Sequence, residues 1–109
     1  MSGATQAFDH NGIRTTLDAD GFLLHPEEWS HRMGRALADA DGVPELSDEH
    51  WKVMEFVRAY WKEHGVAPMV RLLCRETDTS LKRIYELFPS GPAHGACKYA
   101  GLPRPDGCV

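Results

Sequence analysis

The residues best suited to chemistry in this 109-residue chain are its three cysteines, Cys74, Cys97 and Cys108. An odd count with no export signal argues against a disulfide scaffold. There is no CxxC pair, and a zinc site needs four suitably spaced ligands. Each thiol is therefore either packing or reactive, and position decides. Cys74 falls on an apolar helical stripe and reads as core. Cys97 lies in a segment that Pro92 is placed to open and Gly101 to close, on one face with Ala93, Ala96 and Ala100. Small residues on that face let a helix pack closely and set Cys97 at a buried seam. Cys108 is penultimate, after Pro103, Pro105 and the bend-forming Asp106-Gly107. With no apolar run to tie it down, that end is expected to be mobile and exposed. The thiol there is functional or an incidental surface group.

The spacing of Cys97 and Cys108 suits an arm that swings. The residues from Gly101 to Cys108 reach roughly 25 Å when extended. Folding the arm back closes a loop of about twelve residues, at a chain-entropy cost on the order of 3 kcal/mol. Cys108 can thus be carried into a partner's active site and return to Cys97. The attacking species is the thiolate, and an unperturbed thiol with a pKa of about 8.5 is only a few per cent ionised at neutral pH. Lys98 and Arg104 are nearby cations that would raise that fraction, while Asp106 and the Val109 carboxylate oppose them at the tip. His94, one turn before Cys97, is either a base for it or a solvated side chain.

These groups must be positioned by short elements. Asn11-Gly12 is a strong hairpin signal, since both residues accept the positive φ of a type I′ turn. Strands are expected near 7–10 and 13–17, then a turn at Asp18-Ala19-Asp20-Gly21 and the run Phe22-Leu23-Leu24. Pro26 is placed to start a helix, with Glu27 and Glu28 favoured in its first turn. Trp29, Met33, Ala36, Leu37 and Ala40 form its apolar face, and Gly42 stops it. Ser47 caps a second helix that buries Val53, Met54, Val57, Tyr60 and Trp61 and ends at Gly65. Pro68 opens a third helix through Leu73 and Cys74. Ser80 caps a fourth, with Leu81, Ile84, Tyr85 and Phe88 on one stripe, until Pro89 breaks it. The expected fold is mainly α: a small N-terminal β-hairpin packed on a bundle of short helices, with a mobile C-terminal arm. Its parts are a disordered tail over 1–7, the hairpin region over 8–24, the bundle over 26–100 and the arm over 101–109, all in one domain.

Composition excludes several classes. The chain is 42% hydrophobic and 26% charged, ordinary for a soluble globule. No apolar run exceeds about four residues, so neither membrane insertion nor a signal peptide is expected, and the expected compartment is the cytoplasm. The net charge of −4 argues against a broad grip on nucleic acid. Residues 1–50 hold ten acids against three bases, and residues 51–109 six against nine. That asymmetry is a matter of solvated faces or of an acidic partner for the second half. Six scattered histidines show no metal-ligand spacing, and there is no phosphate-cradling glycine loop, so neither metal nor cofactor is expected.

The block Tyr85-Glu86-Leu87-Phe88-Pro89, Gly91-Pro92-Ala93, Ala96-Cys97, Ala100-Gly101-Leu102-Pro103, Pro105 and Gly107-Cys108-Val109 resembles the DsrC/TusE family, which includes the gamma protein of dissimilatory sulfite reductase. The resemblance extends back through Pro68 with Val70-Arg71, Ser47 to His50-Trp51, and Asp20-Gly21-Phe22-Leu23. It implies a small N-terminal β-hairpin packed on an orthogonal bundle of short helices with a mobile C-terminal arm, and a sulfur carrier that serves larger enzymes as a protein substrate. It places the sulfur-accepting role on Cys108 and the second redox thiol on Cys97, with persulfide, trisulfide and disulfide states between them. The implied partners are dissimilatory sulfite reductase or another sulfurtransferase as persulfide donor, and a heterodisulfide-reductase-like thiol/disulfide partner. Having both thiols separates the chain from the TusE branch, which relays sulfur towards 2-thiouridine in transfer RNA and typically keeps only the penultimate cysteine. The chain departs from the family pattern in its short acidic Glu76-Thr77-Asp78-Thr79-Ser80 loop, and in His94 and Gly95 where Lys and Gln are common.

Two other readings compete. One is the one-thiol TusE-type relay, in which Cys97 is dispensable. The other is a helix-turn-helix regulator using Arg71, Arg75, Lys82 and Arg83 as its basic face, against which the overall negative charge weighs. An independent thiol peroxidase or reductase lacks a CxxC motif and a cofactor site.

Overall fold

A computed structural model describes residues 4–104. Strands β1 (Gln6–His10) and β2 (Ile13–Leu17) pair antiparallel, with Phe8 opposite Thr15. The turn residues Asn11 and Gly12 have φ of 52° and 83°, the left-handed pair that the Asn-Gly signal requires. β1 starts at Gln6, inside the stretch expected to be disordered, and the Gln6 amide donates to the Asp18 carbonyl at 3.0 Å. Asp18 then organises the second turn, its Oδ1 accepting from the N–H groups of Asp20 (2.9 Å) and Phe22 (3.0 Å). Leu17 bridges to Leu23, and both side chains enter the core, so the hairpin leans on the helices through its far end.

The helix expected from Pro26 is broken. Pro26–Glu28 is a single 3-10 turn, Trp29 turns extended (ψ 145°), and Ser30 restarts the chain as α1 (His31–Ala40), its hydroxyl accepting the Met33 N–H. The indole of Trp29 explains the break, because its N–H reaches the Tyr99 carbonyl at 2.8 Å, a tertiary bond that a continuous helix would misdirect. Ala40, expected on the buried face, is exposed, and Ala38 is fully buried instead. The face rotated because Gly34 belongs to it: a Cβ there would stand 2.9 Å from the Tyr99 carbonyl oxygen, so only glycine permits the approach.

Helix α2 (Asp48–His64) matches its expected bounds. Ser47 and His50 form a reciprocal cap: the Ser47 hydroxyl accepts the His50 N–H, and His50 Nδ1 accepts the Ser47 N–H at 3.0 Å. The same ring donates from Nε2 to the Leu87 carbonyl at 2.8 Å, which ties the start of α2 to the end of α4. Val53, Met54 and Val57 are buried, and Tyr60 and Trp61 half-buried. Helix α3 (Val70–Thr77) begins two residues after Pro68, with extended Met69 as its N-cap, so Pro68 precedes the helix and does not open it.

Helix α4 (Leu81–Leu87) is capped by Ser80 as expected, but Leu81 and Tyr85 are 47% and 51% exposed. A helix of two turns buries only one narrow edge, here Ile84 and Leu87 with Phe88 just beyond. Arg83 joins this helix to α2 through Glu49 and to itself through Glu86, and the hydrogen bond from Arg83 holds the Glu49 carboxyl below its ordinary range. The last helical segment runs from Pro92 and packs chiefly on α2. Tyr99, Phe22 and Phe88 are the largest fully buried side chains, each contributing about 2–3 kcal/mol by burial. The fold is mainly helical with a two-stranded hairpin, and no described helix is long and apolar enough to cross a membrane.

Candidate functional site

Cys97 is 2% exposed, set among the core side chains as the row of alanines around it implied. The segment carrying it, Pro92–Cys97, is wound as a π-helix, with the Lys98 N–H reaching back to the Ala93 carbonyl. Such wide turns are rare and collect at functional sites. Gly95 lets this turn pack directly on Phe88: a Cβ there would lie 2.7 Å from Phe88 Cβ.

Beyond Cys97 the helix ends in a defined way. A helix leaves its last four carbonyls without partners, and here all four find one. The Leu102 N–H donates to the Cys97 carbonyl (3.1 Å) and the Gly101 N–H to that of Lys98 (3.0 Å), the paired bonds of a Schellman cap, with Gly101 at φ 79°. Trp29 Nε1 donates to the Tyr99 carbonyl (2.8 Å), and Arg58 Nη1 to that of Ala100 (2.9 Å). Arg58 Nη2 also bonds the Pro26 carbonyl (3.0 Å), and its guanidinium lies 4.5 Å from the centre of the Trp29 ring. Burial lowers the pKa of this guanidinium. Leu102 is buried, and Pro103 and Arg104 lead out to the surface.

The three side chains expected to tune a thiol have other partners. Lys98 Nζ pairs with Asp41 at 3.0 and 3.3 Å, and Arg104 with Asp20 at 3.1 Å. His94 is exposed, its ring centred 5.2 Å from that of Phe22. Asp41 also accepts the Tyr99 hydroxyl at 3.1 Å. Burial, then the Asp41 charge and this hydrogen bond, push the Tyr99 phenol well above its ordinary value, with a hydrogen bond to Ser90 acting the other way. Lys98 is thus neutralised by a carboxylate on the end of α1. Cys74 is half-buried against the core. Cys108 and the rest of the expected arm beyond Arg104 lie outside the described residues. Of the basic face considered for DNA, Arg75 is joined to Glu76, and Arg83 to Glu49 and Glu86.

Sequence reasoning missed Trp29, Arg58 and Asp41 as the residues that hold this helix end. A signal existed for Arg58: it lies four residues after Met54 and three before Trp61, in the middle of the apolar stripe of α2, where a solvated arginine is out of place. Asp41 gave none, since an acid after a helix is usually a surface residue.

The fold and the sequence both have known counterparts. The model of the family described as DsrC like protein matches residues 9–109. A relative, the gamma subunit of a dissimilatory-type sulfite reductase of Nitratidesulfovibrio vulgaris, is 45% identical over 100 residues, covering 92% of this chain and 95% of its own. A sulfurtransferase TusE homolog of Haemophilus influenzae is 39% identical over 106 residues, covering 91% and 96%. The crystal structure of the oxidized gamma-subunit of the dissimilatory sulfite reductase (DsrC) from Archaeoglobus fulgidus superposes with a TM-score of 0.82 at 45% identity, covering 95% of this chain and all of that one. With the hairpin, the bundle and the family model in agreement, the chain belongs to the DsrC-like protein family.

Proposed function

We propose that this protein is a cytoplasmic sulfur carrier in which Cys108 receives sulfur and Cys97 is the exchanging second thiol. A donor enzyme leaves a persulfide on Cys108. The Cys97 thiolate then attacks the Cys108 sulfur: a Cys97–Cys108 sulfur–sulfur bond forms, the bond to the terminal sulfur breaks, and that sulfur departs as hydrosulfide with the electron pair. The two cysteine sulfurs are oxidised to a disulfide as the transferred sulfur is reduced. A trisulfide arises in its place when a partner withdraws two electrons and two protons from the Cys108 persulfide and the Cys97 thiol together. The observation that carries this reading is the helix end: a cysteine at a buried seam, directly before a fully bonded terminus from which the chain leads on towards a second cysteine.

The donor is dissimilatory sulfite reductase or another sulfurtransferase, and a heterodisulfide-reductase-like partner returns the disulfide to thiols. Likeness to the sulfite reductase gamma subunit supports the first donor. The likeness to a TusE homolog supports a second reading, a relay towards 2-thiouridine in transfer RNA, in which Cys97 is dispensable. Intact mass after exposure to a persulfide donor separates the two. In the two-thiol carrier, Cys108→Ala abolishes added sulfur, whereas Cys97→Ala loads sulfur but forms no internal bridge. If Cys108→Ala gains sulfur as readily as the parent, the carrier reading is wrong. If Cys97→Ala relays sulfur onward as fast as the parent, the one-thiol relay is right.

A further inference from the structure

The two carbonyls that the Schellman cap leaves over, those of Tyr99 and Ala100, are held by side chains from elsewhere in the fold. Trp29 comes from the break before α1 and Arg58 from the middle of α2. Arg58 is a costly choice for this task. Its guanidinium is partly withdrawn from water, it bonds only main-chain carbonyls, and among the described residues no carboxylate pairs with it. An ordinary helix end would leave both carbonyls to water. Here the guanidinium spans the carbonyls of Ala100 and Pro26 and lies over Trp29, whose ring in turn fills the space where a Gly101 side chain would be, 2.3 Å from the Cβ position. Three contacts thus converge on residues 99–101, and the Arg58 guanidinium braces the Trp29 ring that makes two of them, fixing both where the chain leaves the helix and in which direction.

From this we infer that Arg58 and Trp29 are positioning residues for the Cys97–Cys108 exchange. They aim the chain beyond Gly101, so that closure between the two cysteines is an intramolecular step with a high effective concentration. The inference rests on the reading of these cysteines as an exchanging pair. Ring closure depends on the direction of the anchored end as well as on chain length, because a fixed end samples only part of the volume open to a free one. Displacing an anchored group by about 1 Å costs catalysed reactions as much as a hundredfold.

The test equilibrates the full-length protein with glutathione buffers and measures by mass the fraction bridged. In that reaction the Cys97 and Cys108 thiols give two electrons and two protons to glutathione disulfide, which leaves as two glutathione thiols. The variants are Arg58→Met, Arg58→Lys and Trp29→Phe, with His10→Ala as a control. The control removes the 2.8 Å bond between the hairpin and Asp39 of α1, and so weakens the fold away from the helix end. We expect the effective concentration of the pair to fall about tenfold in Arg58→Met and Trp29→Phe. It should fall less in Arg58→Lys, whose ammonium reaches one carbonyl, and stay at the parent value in His10→Ala. If Arg58→Met does not fold, Trp29→Phe and Arg58→Lys decide. Variants equal to the parent, a control that falls with them, or a parent that forms no bridge would each overturn the inference. Persulfide loading of the same samples keeps the two claims apart: no loading with the tenfold effect intact defeats the carrier and leaves the positioning role standing.

Discussion

Single atoms decide the geometry around Cys97, and glycine is where they are easiest to test. Gly101 is needed twice over, for a φ of 79° and for the space that Trp29 occupies 2.3 Å from the missing Cβ. Gly42 has a similar φ of 90° with nothing within 4 Å. Comparing the two separates conformational strain from collision. Gly42→Ala should cost about 1–2 kcal/mol, the penalty of a left-handed residue, whereas Gly101→Ala should cost about 4 kcal/mol or more. Urea unfolding of both variants measures this, and equal losses would mean that Trp29 yields its place freely. Lys98 carries a different lesson: it follows Cys97 in sequence, yet its charge is taken by Asp41, 57 residues away in the chain. Adjacency in a helix says little about which groups share a field, since neighbours at i and i+1 point about 100° apart.

Among the elements, the joint between α2 and α4 rests on one imidazole. His50 completes the cap with Ser47 through one nitrogen and holds the Leu87 carbonyl through the other. His50→Gln keeps a capping-box side chain but gives up Leu87, and should lose about 1 kcal/mol. His50→Ala gives up both and should lose about 2 kcal/mol. Thermal or urea denaturation of the pair checks the order, and a fully stable alanine variant would remove the joint from this account. The caps themselves were legible in the residues: Ser47, Ser80, Gly65 and Gly101 all end or begin helices where local chemistry places them. What could not be read were the places where a distant partner overrides the local pattern. Pro26 promised one helix, and the Trp29 indole divided it. Leu81 and Tyr85 fit the helical stripe, but two turns had room to bury only Ile84 and Leu87. Cys97 and Cys108, the proposed exchanging pair, stood out by residue type and spacing, while Arg58, Trp29 and Asp41 did not, because their contacts are made across the fold.

At the scale of the whole molecule, the last helix is a central part of the core, and its stability is tied to proton binding. Burial and Asp41 raise the Tyr99 phenol above its ordinary value of 10.0, so folding binds that proton more tightly. This contribution is fully present below pH 10 and fades as pH climbs from there towards the folded value. Urea midpoints measured between about pH 8 and pH 11 should therefore fall on the alkaline side, and Tyr99→Phe should flatten that slope. An unchanged slope would remove Tyr99 from the cause. The indole of Trp29 has a consequence of another kind. Its N–H is engaged by the Tyr99 carbonyl and its face is covered by Arg58, so its fluorescence differs between a seated and a released helix end. Once Trp51 and Trp61 are replaced by phenylalanine, the chain carries its own optical gauge at residues 99–101. The loosening of the stretch next to Cys97 can then be timed in solution, with no dye attached and no cysteine used up in attaching one.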